Sequence, residues 1–164
     1  MKLVKPHIKY QSSYLAYIVE LGDEERYPFP MDFDHHDFPA MLQRIADFEQ
    51  GVNLPLGYVP STTYWLVQGD EILGAANLRH QLNDVLRTAG GHIGLGIRPK
   101  YRQQGLSVRL LQLTLEQAEN KGINPVHVHC YQENIASARM IMACGGVLDS
   151  EIESDGVVVQ RYLI

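Results

Sequence analysis

Ile97-Arg98-Pro99-Lys100-Tyr101-Arg102-Gln103-Gln104-Gly105-Leu106-Ser107 runs from a strand-like segment through a basic turn into a long amphipathic helix. At such a junction the first N–H groups of the helix have no intrahelical partner, and the positive end of the helix dipole lies beside them. The spot suits a phosphate group. Gly105 lets the backbone approach such a group closely, and Arg102 adds a fork-shaped cation able to bind its oxygens in pairs. Other phosphate loops fit worse. No run of Gly, four residues and Gly-Lys-Ser/Thr occurs in the chain. Gly90-Gly91-His92-Ile93-Gly94-Leu95-Gly96 looks dinucleotide-like, but strand-like residues and Pro99 follow where a helix should open.

Working outward, the alternation of Ile93, Leu95 and Ile97 predicts a strand from Gly91 to Arg98. The apolar face of Leu106, Leu110, Leu113, Leu111 and Ala118 predicts a helix over Leu106–Lys121, stopped by Gly122. A strand Val126–Cys130, a short helix Ile135–Cys144 closed by Gly145-Gly146, and a hairpin turned at Asp155-Gly156 complete that side. Toward the N-terminus, Leu3–Ile8 reads as an edge strand. Ser12 or Ser13 caps a helix Tyr14–Leu21 whose Leu15, Ile18 and Val19 share one face. A proline-broken loop leads to a helix Asp37–Gln50 with Phe38, Met41, Ile45 and Phe48 at helical spacing, ended by Gly51. Tyr64–Val67 and Glu71–His80 form a hairpin, and Gln81–Gly91 is a polar loop. The order predicts an α/β (α+β) fold, a mixed central sheet of about seven strands flanked by about four helices.

The 164 residues suit a single domain over 1–164. No apolar run nears the roughly 20 residues that cross a bilayer, so no membrane association is expected. The N-terminus lacks the apolar segment of a signal peptide. Two cysteines, Cys130 and Cys144, make no disulfide framework and point to a reducing, cytoplasmic setting. A net charge of −5 argues against nucleic acid as a partner, while leaving a locally basic groove around Arg98, Lys100, Arg102 and Arg109.

The pattern Arg102-x-x-Gly105-x-Ser107 at a strand-to-helix turn resembles the acetyl-CoA pyrophosphate loop of the GNAT acetyltransferase superfamily. The element order matches that fold along essentially the whole chain. Asn134-Ile135-Ala136-Ser137 is similar to the start of the family's last helix, and Gly145-Gly146 stands where the family has Gly-Phe. Gly57-Tyr58-Val59-Pro60, Gly90-Gly91-His92-Ile93-Gly94 and Gln160-Arg161-Tyr162 resemble a little-described bacterial branch of predicted acetyltransferases.

The resemblance implies direct transfer of acetyl from acetyl-CoA to a primary amine of a small molecule or peptide. The cofactor would lie on Ile97, Arg98, Arg102, Gln103, Gln104, Gly105, Leu106, Ser107, Asn134 and Ser137. Its arm would follow the strand at Gly94 and Gly96, whose missing side chains permit the approach. The Ile97 N–H is the expected oxyanion donor. His92 stands where many members carry a general-base Glu, and imidazole chemistry makes that workable.

The tyrosine that usually protonates the departing thiolate falls on Ile141 here, so Tyr131, or more remotely Tyr162, replaces it, or no acid is needed. That departure leaves a non-catalytic acyl-CoA-binding domain as the alternative. Arg79 and His80, at a strand end, are expected on the substrate side. No metal is expected: Asp32, Asp34, His35, His36 and Asp37 read as helix-capping and dipole-favouring residues. Tyr14 and Tyr17 are read as core, with an acceptor-side lining the other option. Dimers are frequent in the superfamily, which leaves a homodimer open.

Overall fold

The computed structural model describes residues 1–164. The expected α/β fold forms, its seven strands arranged as two antiparallel sheets. The first contains β1 (Lys2–Val4), β2 (Ser61–Gln68), β3 (Glu71–Arg79) and β4 (Ile93–Ile97), in that spatial order. The second has β7 (Val157–Leu163) between β5 (His127–Tyr131) and β6 (Val147–Ser154). Five helices pack on them: α1 (Gln11–Leu21), α2 (Phe38–Gln50), α3 (Asp84–Thr88), α4 (Leu106–Asn120) and α5 (Ile135–Ala143).

Local chemistry accounts for most of these elements. Asp37 caps α2 by accepting from the Ala40 N–H, and Gly51 ends it in the left-handed conformation at φ 71°. The short helix α3 lies inside the segment expected to be a polar loop. Asn83 caps it, accepting from the Leu86 N–H at 3.0 Å, and Asp84 favours its dipole. The expected cap of α1 is not formed. That helix begins at Gln11 without a side-chain cap, and the Ser13 hydroxyl instead accepts from the Ile72 N–H of β3 at 2.8 Å.

The inner face of α1 also differs from expectation. Val19 is 79% exposed, whereas Tyr14, Tyr17 and Leu21 are buried. Aromatic packing decides it: Tyr14 and Tyr10 both meet Trp65, with ring centroids 5.3 and 6.2 Å away. This aromatic core lies between α1, α2 and one face of the first sheet. On the other face, α4 buries Leu110 against Leu66, Leu73 and Ala76.

Position follows from one joint between the sheets. The His92 N–H donates to the His127 carbonyl at 2.7 Å, and the His127 N–H donates to His92 Nδ1 at 2.9 Å. Both β4 and β5 run away from this joint and part, because they belong to different sheets. A cleft of about 740 Å³ opens between them.

Candidate functional site

β4 supplies one wall of the cleft. The Arg98 N–H bonds to the Leu73 carbonyl, and the Arg79 N–H bonds to the His92 carbonyl. Antiparallel alternation between these points turns the N–H groups of Leu95 and Ile97 away from β3, onto the free edge facing the cleft. Ile97 therefore has the expected orientation for a donor, and Leu95 shares it. The sequence reading missed Leu95 because the phase of a hydrogen-bond ladder is not written in side-chain pattern.

At the far end of β4 the chain enters α4. Gly105 takes φ 74° at the N-cap, and no side chain caps the helix. Leu106, Ser107 and Val108 thus begin α4 with N–H groups that have no intrahelical partner. Leu106, Ser107, Gln103 and Gly105 all line the cleft, as do Ile97 and Arg102. The Arg102 Nε–H donates to the Ile97 carbonyl at 3.0 Å, and its two terminal nitrogens grip Glu24 at 3.2 and 2.7 Å. Arg102 lowers the Glu24 pKa in turn, so this carboxylate holds the fork that a phosphate would require.

Two expected cofactor residues lie elsewhere. Arg98 is 2% exposed, and its guanidinium is bound to Glu20, the Ser13 hydroxyl and the Ile72 carbonyl. The reason is the pleat: Arg98 projects to the α1 face, one residue out of phase with Ile97. Gln104 does not line the cleft, and its amide points back to the Lys100 carbonyl at 3.4 Å. Asn134 does line it, beside Ser137, while capping α5 through the Ser137 N–H at 3.1 Å.

Glycine serves β4 differently from the expected way. A Cβ at Gly96 would stand 2.6 Å from the Tyr27 carbonyl, and one at Gly94 would touch Pro28. The open face is thus roofed by the segment between α1 and α2, and what remains free for an extended ligand is the strand's edge.

Away from α4 the cleft carries Arg79 and Gly90, and Tyr27, Glu25, His129 and Tyr131 line it as well. Arg79 lines this space. His80 does not; alternation sends it to the opposite side, where Nε2 lies 2.8 Å from the Thr62 hydroxyl. His92 is buried and outside the cleft lining. Its Nδ1 accepts the His127 N–H, which places the ring proton on Nε2 and leaves no free lone pair. Burial pushes its pKa down to about 4. These facts do not suit a proton acceptor.

His129 reaches the cleft instead. Both ring nitrogens are buried without a hydrogen-bond partner, and burial lowers its pKa to about 4. Two apart on β5, His127 and His129 share a strand face, and residue pattern alone does not show which of them meets the cleft. Tyr131, two residues on, also faces the cleft and is half exposed. Ile141 lines the same space at the position where the tyrosine was expected, while the Tyr162 hydroxyl is occupied by Gln160 at 3.0 Å.

Among solved structures, the chain resembles an acetyltransferase from Salmonella typhimurium that modifies the N-terminal serine of ribosomal protein L7/L12. The TM-score is 0.68 at 14% identity, over 99% of this chain and 92% of that one. A microcin C7 self-immunity acetyltransferase in complex with acetyl-CoA and AMP gives 0.70 at 14% identity, over 99% and 90%. A spermidine N-acetyltransferase mutant from Vibrio cholerae gives 0.66 at 13% identity, over 100% and 94%. No curated protein matches the chain in sequence. The profile of the acetyltransferase (GNAT) family matches residues 18–145, most of the chain and all of the cleft's β4–α4 wall. The chain belongs to the GNAT acetyltransferase family.

Proposed function

We propose that the protein transfers an acetyl group from acetyl-CoA to a primary amine of a small molecule or peptide. The observation that carries this is the uncapped start of α4, with Arg102 beside it, at one end of a cleft that follows the unpaired edge of β4. Orphan N–H groups and a guanidinium suit a diphosphate, and the N–H groups of Leu95 and Ile97 suit the carbonyls of an extended arm. The acceptors of the similar structures, a protein N-terminus and a polyamine, support an amine in that role.

Bound acetyl-CoA supplies a thioester carbon open to attack. The amine nitrogen forms a C–N bond to that carbon, the C–S bond breaks, the nitrogen loses a proton and the thiolate gains one. A β4 N–H, from Ile97 or Leu95, stabilises the oxygen on which charge develops. The amine's proton leaves to solvent, since His129, like His92, has its pKa lowered to about 4 and keeps both ring nitrogens buried. Tyr131, which lines the cleft, protonates the thiolate. The two free cysteines, Cys130 and Cys144, fit a reducing cytoplasm.

The test follows free thiol released from acetyl-CoA across a panel of amines. Turnover is expected, with Tyr131→Phe lowering kcat by roughly a hundredfold. Calorimetry showing no CoA binding overturns the reading altogether. The buried Ile141 favours a second reading, an acyl-CoA-binding domain without catalysis, and CoA binding with no turnover on any amine selects it.

A further inference from the structure

Two arginines line the cleft, and they differ in one respect. Arg102, at the α4 end, is gripped by Glu24. Arg79, at the opposite end, has no carboxylate partner. Its Nη1 donates to the Gly90 carbonyl at 3.2 Å and the Gly91 carbonyl at 3.0 Å. Those bonds fix the guanidinium plane and use both hydrogens of one nitrogen. Nε–H and the two hydrogens of Nη2 make no hydrogen bond within the protein.

The surroundings make this unpaired charge costly. The Phe29 ring centre lies 5.9 Å from the guanidinium carbon, and the groups that favour its charge are the hydroxyls of Tyr27 and Tyr58. Burial lowers the Arg79 pKa, which reflects a cation partly stripped of water. The sole carboxylate among the cleft residues, Glu25, forms no ion pair with it. A rigid, desolvated fork with three unused donors is matched by a planar anion. The coenzyme's own phosphates are accounted for at the other end.

We propose that the acceptor carries a carboxylate as well as its amine, and that Arg79 binds that carboxylate. The inference rests on the acetyl-transfer reading and narrows it to amino-acid-like amines, as opposed to polycationic or uncharged ones. A carboxylate is favoured over a phosphate because a single guanidinium faces this end of the cleft, which balances one negative charge.

The experiment compares matched amines with acetyl-CoA: ω- and α-amino acids, their decarboxylated counterparts, a phosphorylated ethanolamine, and spermidine. The carboxylated amines should show kcat/KM at least tenfold higher. Arg79→Gln should cost the carboxylated amines ten- to hundredfold more than it costs simple amines, and Arg79→Lys should restore part of that difference. Equal loss on both classes, or faster turnover of spermidine or of the phosphorylated amine by the unaltered protein, overturns the proposal. Should no amine turn over, CoA-saturated protein is titrated with N-acetyl amino acids and their amides. Tighter binding of the acids, abolished in Arg79→Gln, upholds the carboxylate site even as the transferase reading falls; equal binding ends it.

Discussion

In the proposed reaction, Glu24 and Arg102 form the contact on which cofactor entry turns. The guanidinium that suits a diphosphate is already bound in fork geometry by a carboxylate from the segment after α1. A phosphate must displace Glu24, and the cost of that exchange is subtracted from affinity. Arg102→Ala should weaken CoA binding ten- to hundredfold by removing charge-assisted bonds of roughly 1.5–3 kcal/mol. Glu24→Gln should do the reverse and tighten binding several-fold, since an amide holds the fork less firmly than a carboxylate. Titration calorimetry on the two variants checks the pair, and weaker binding by Glu24→Gln refutes the competition. A second expectation concerns pH. Both His92 and His129 are held near pKa 4, so neither changes charge between pH 6 and 8. The pH–rate profile should rise toward the acceptor amine's own pKa without an imidazole limb. A limb near 6.5 that disappears in His129→Asn would show that histidine to titrate in the working range after all.

Among the elements, β4 carries the most constraint in the fewest residues. Its outer edge serves the cleft, its inner edge pairs with β3, and one face lies under the segment following α1. Gly96→Ala places a Cβ against the Tyr27 carbonyl and should destabilise the protein by roughly 1–3 kcal/mol. The same change displaces the segment that carries Glu24, Glu25 and Tyr27 across the cleft, so acceptor KM should rise with stability loss. Urea unfolding and steady-state kinetics measure both. The strand and the helix after it were legible in the sequence, because Ile93, Leu95 and Ile97 alternate and Gly105 punctuates. So were the chain order, the caps at Asp37 and Gly51, and the basic turn with Arg102. What escaped had a different origin. The outward turn of Val19 on α1 was set by tertiary packing of Tyr14 on Trp65, which local periodicity cannot report. Arg98 and His80 were misplaced by one step of the pleat: a residue beside a site residue in sequence points away from it in a strand. His129 needed the separation of two sheets to become visible.

The whole molecule is two sheets joined where His92 meets His127, and the joint is built from groups whose protonation state matters. His92 Nδ1 accepts the His127 N–H, so a proton arriving there turns an acceptor into a donor and sets two N–H groups against each other. A proton on His129 instead places a charge where neither ring nitrogen has a partner. Folding depresses both pKa values from the ordinary histidine range near 6.5 to about 4. The unfolded chain therefore binds these protons first as pH falls. The stability they represent is complete above pH 6.5 and drains away as the pH drops toward 4, by on the order of 2 kcal/mol for each histidine after solvent screening. Thermal unfolding followed across that window should show Tm falling with acid before the carboxylates titrate. His92→Gln retains an acceptor for the His127 N–H and removes one titrating group, so its Tm should change less across the same range. The loss should also be felt first at the joint: the protection factor of the His127 amide, its rate relative to an unfolded amide at the same pH, should fall at pH 5 while the buried β2–β3 pair stays protected. A uniform fall in protection would mean that the two sheets unfold as one, with no weak point between β4 and β5.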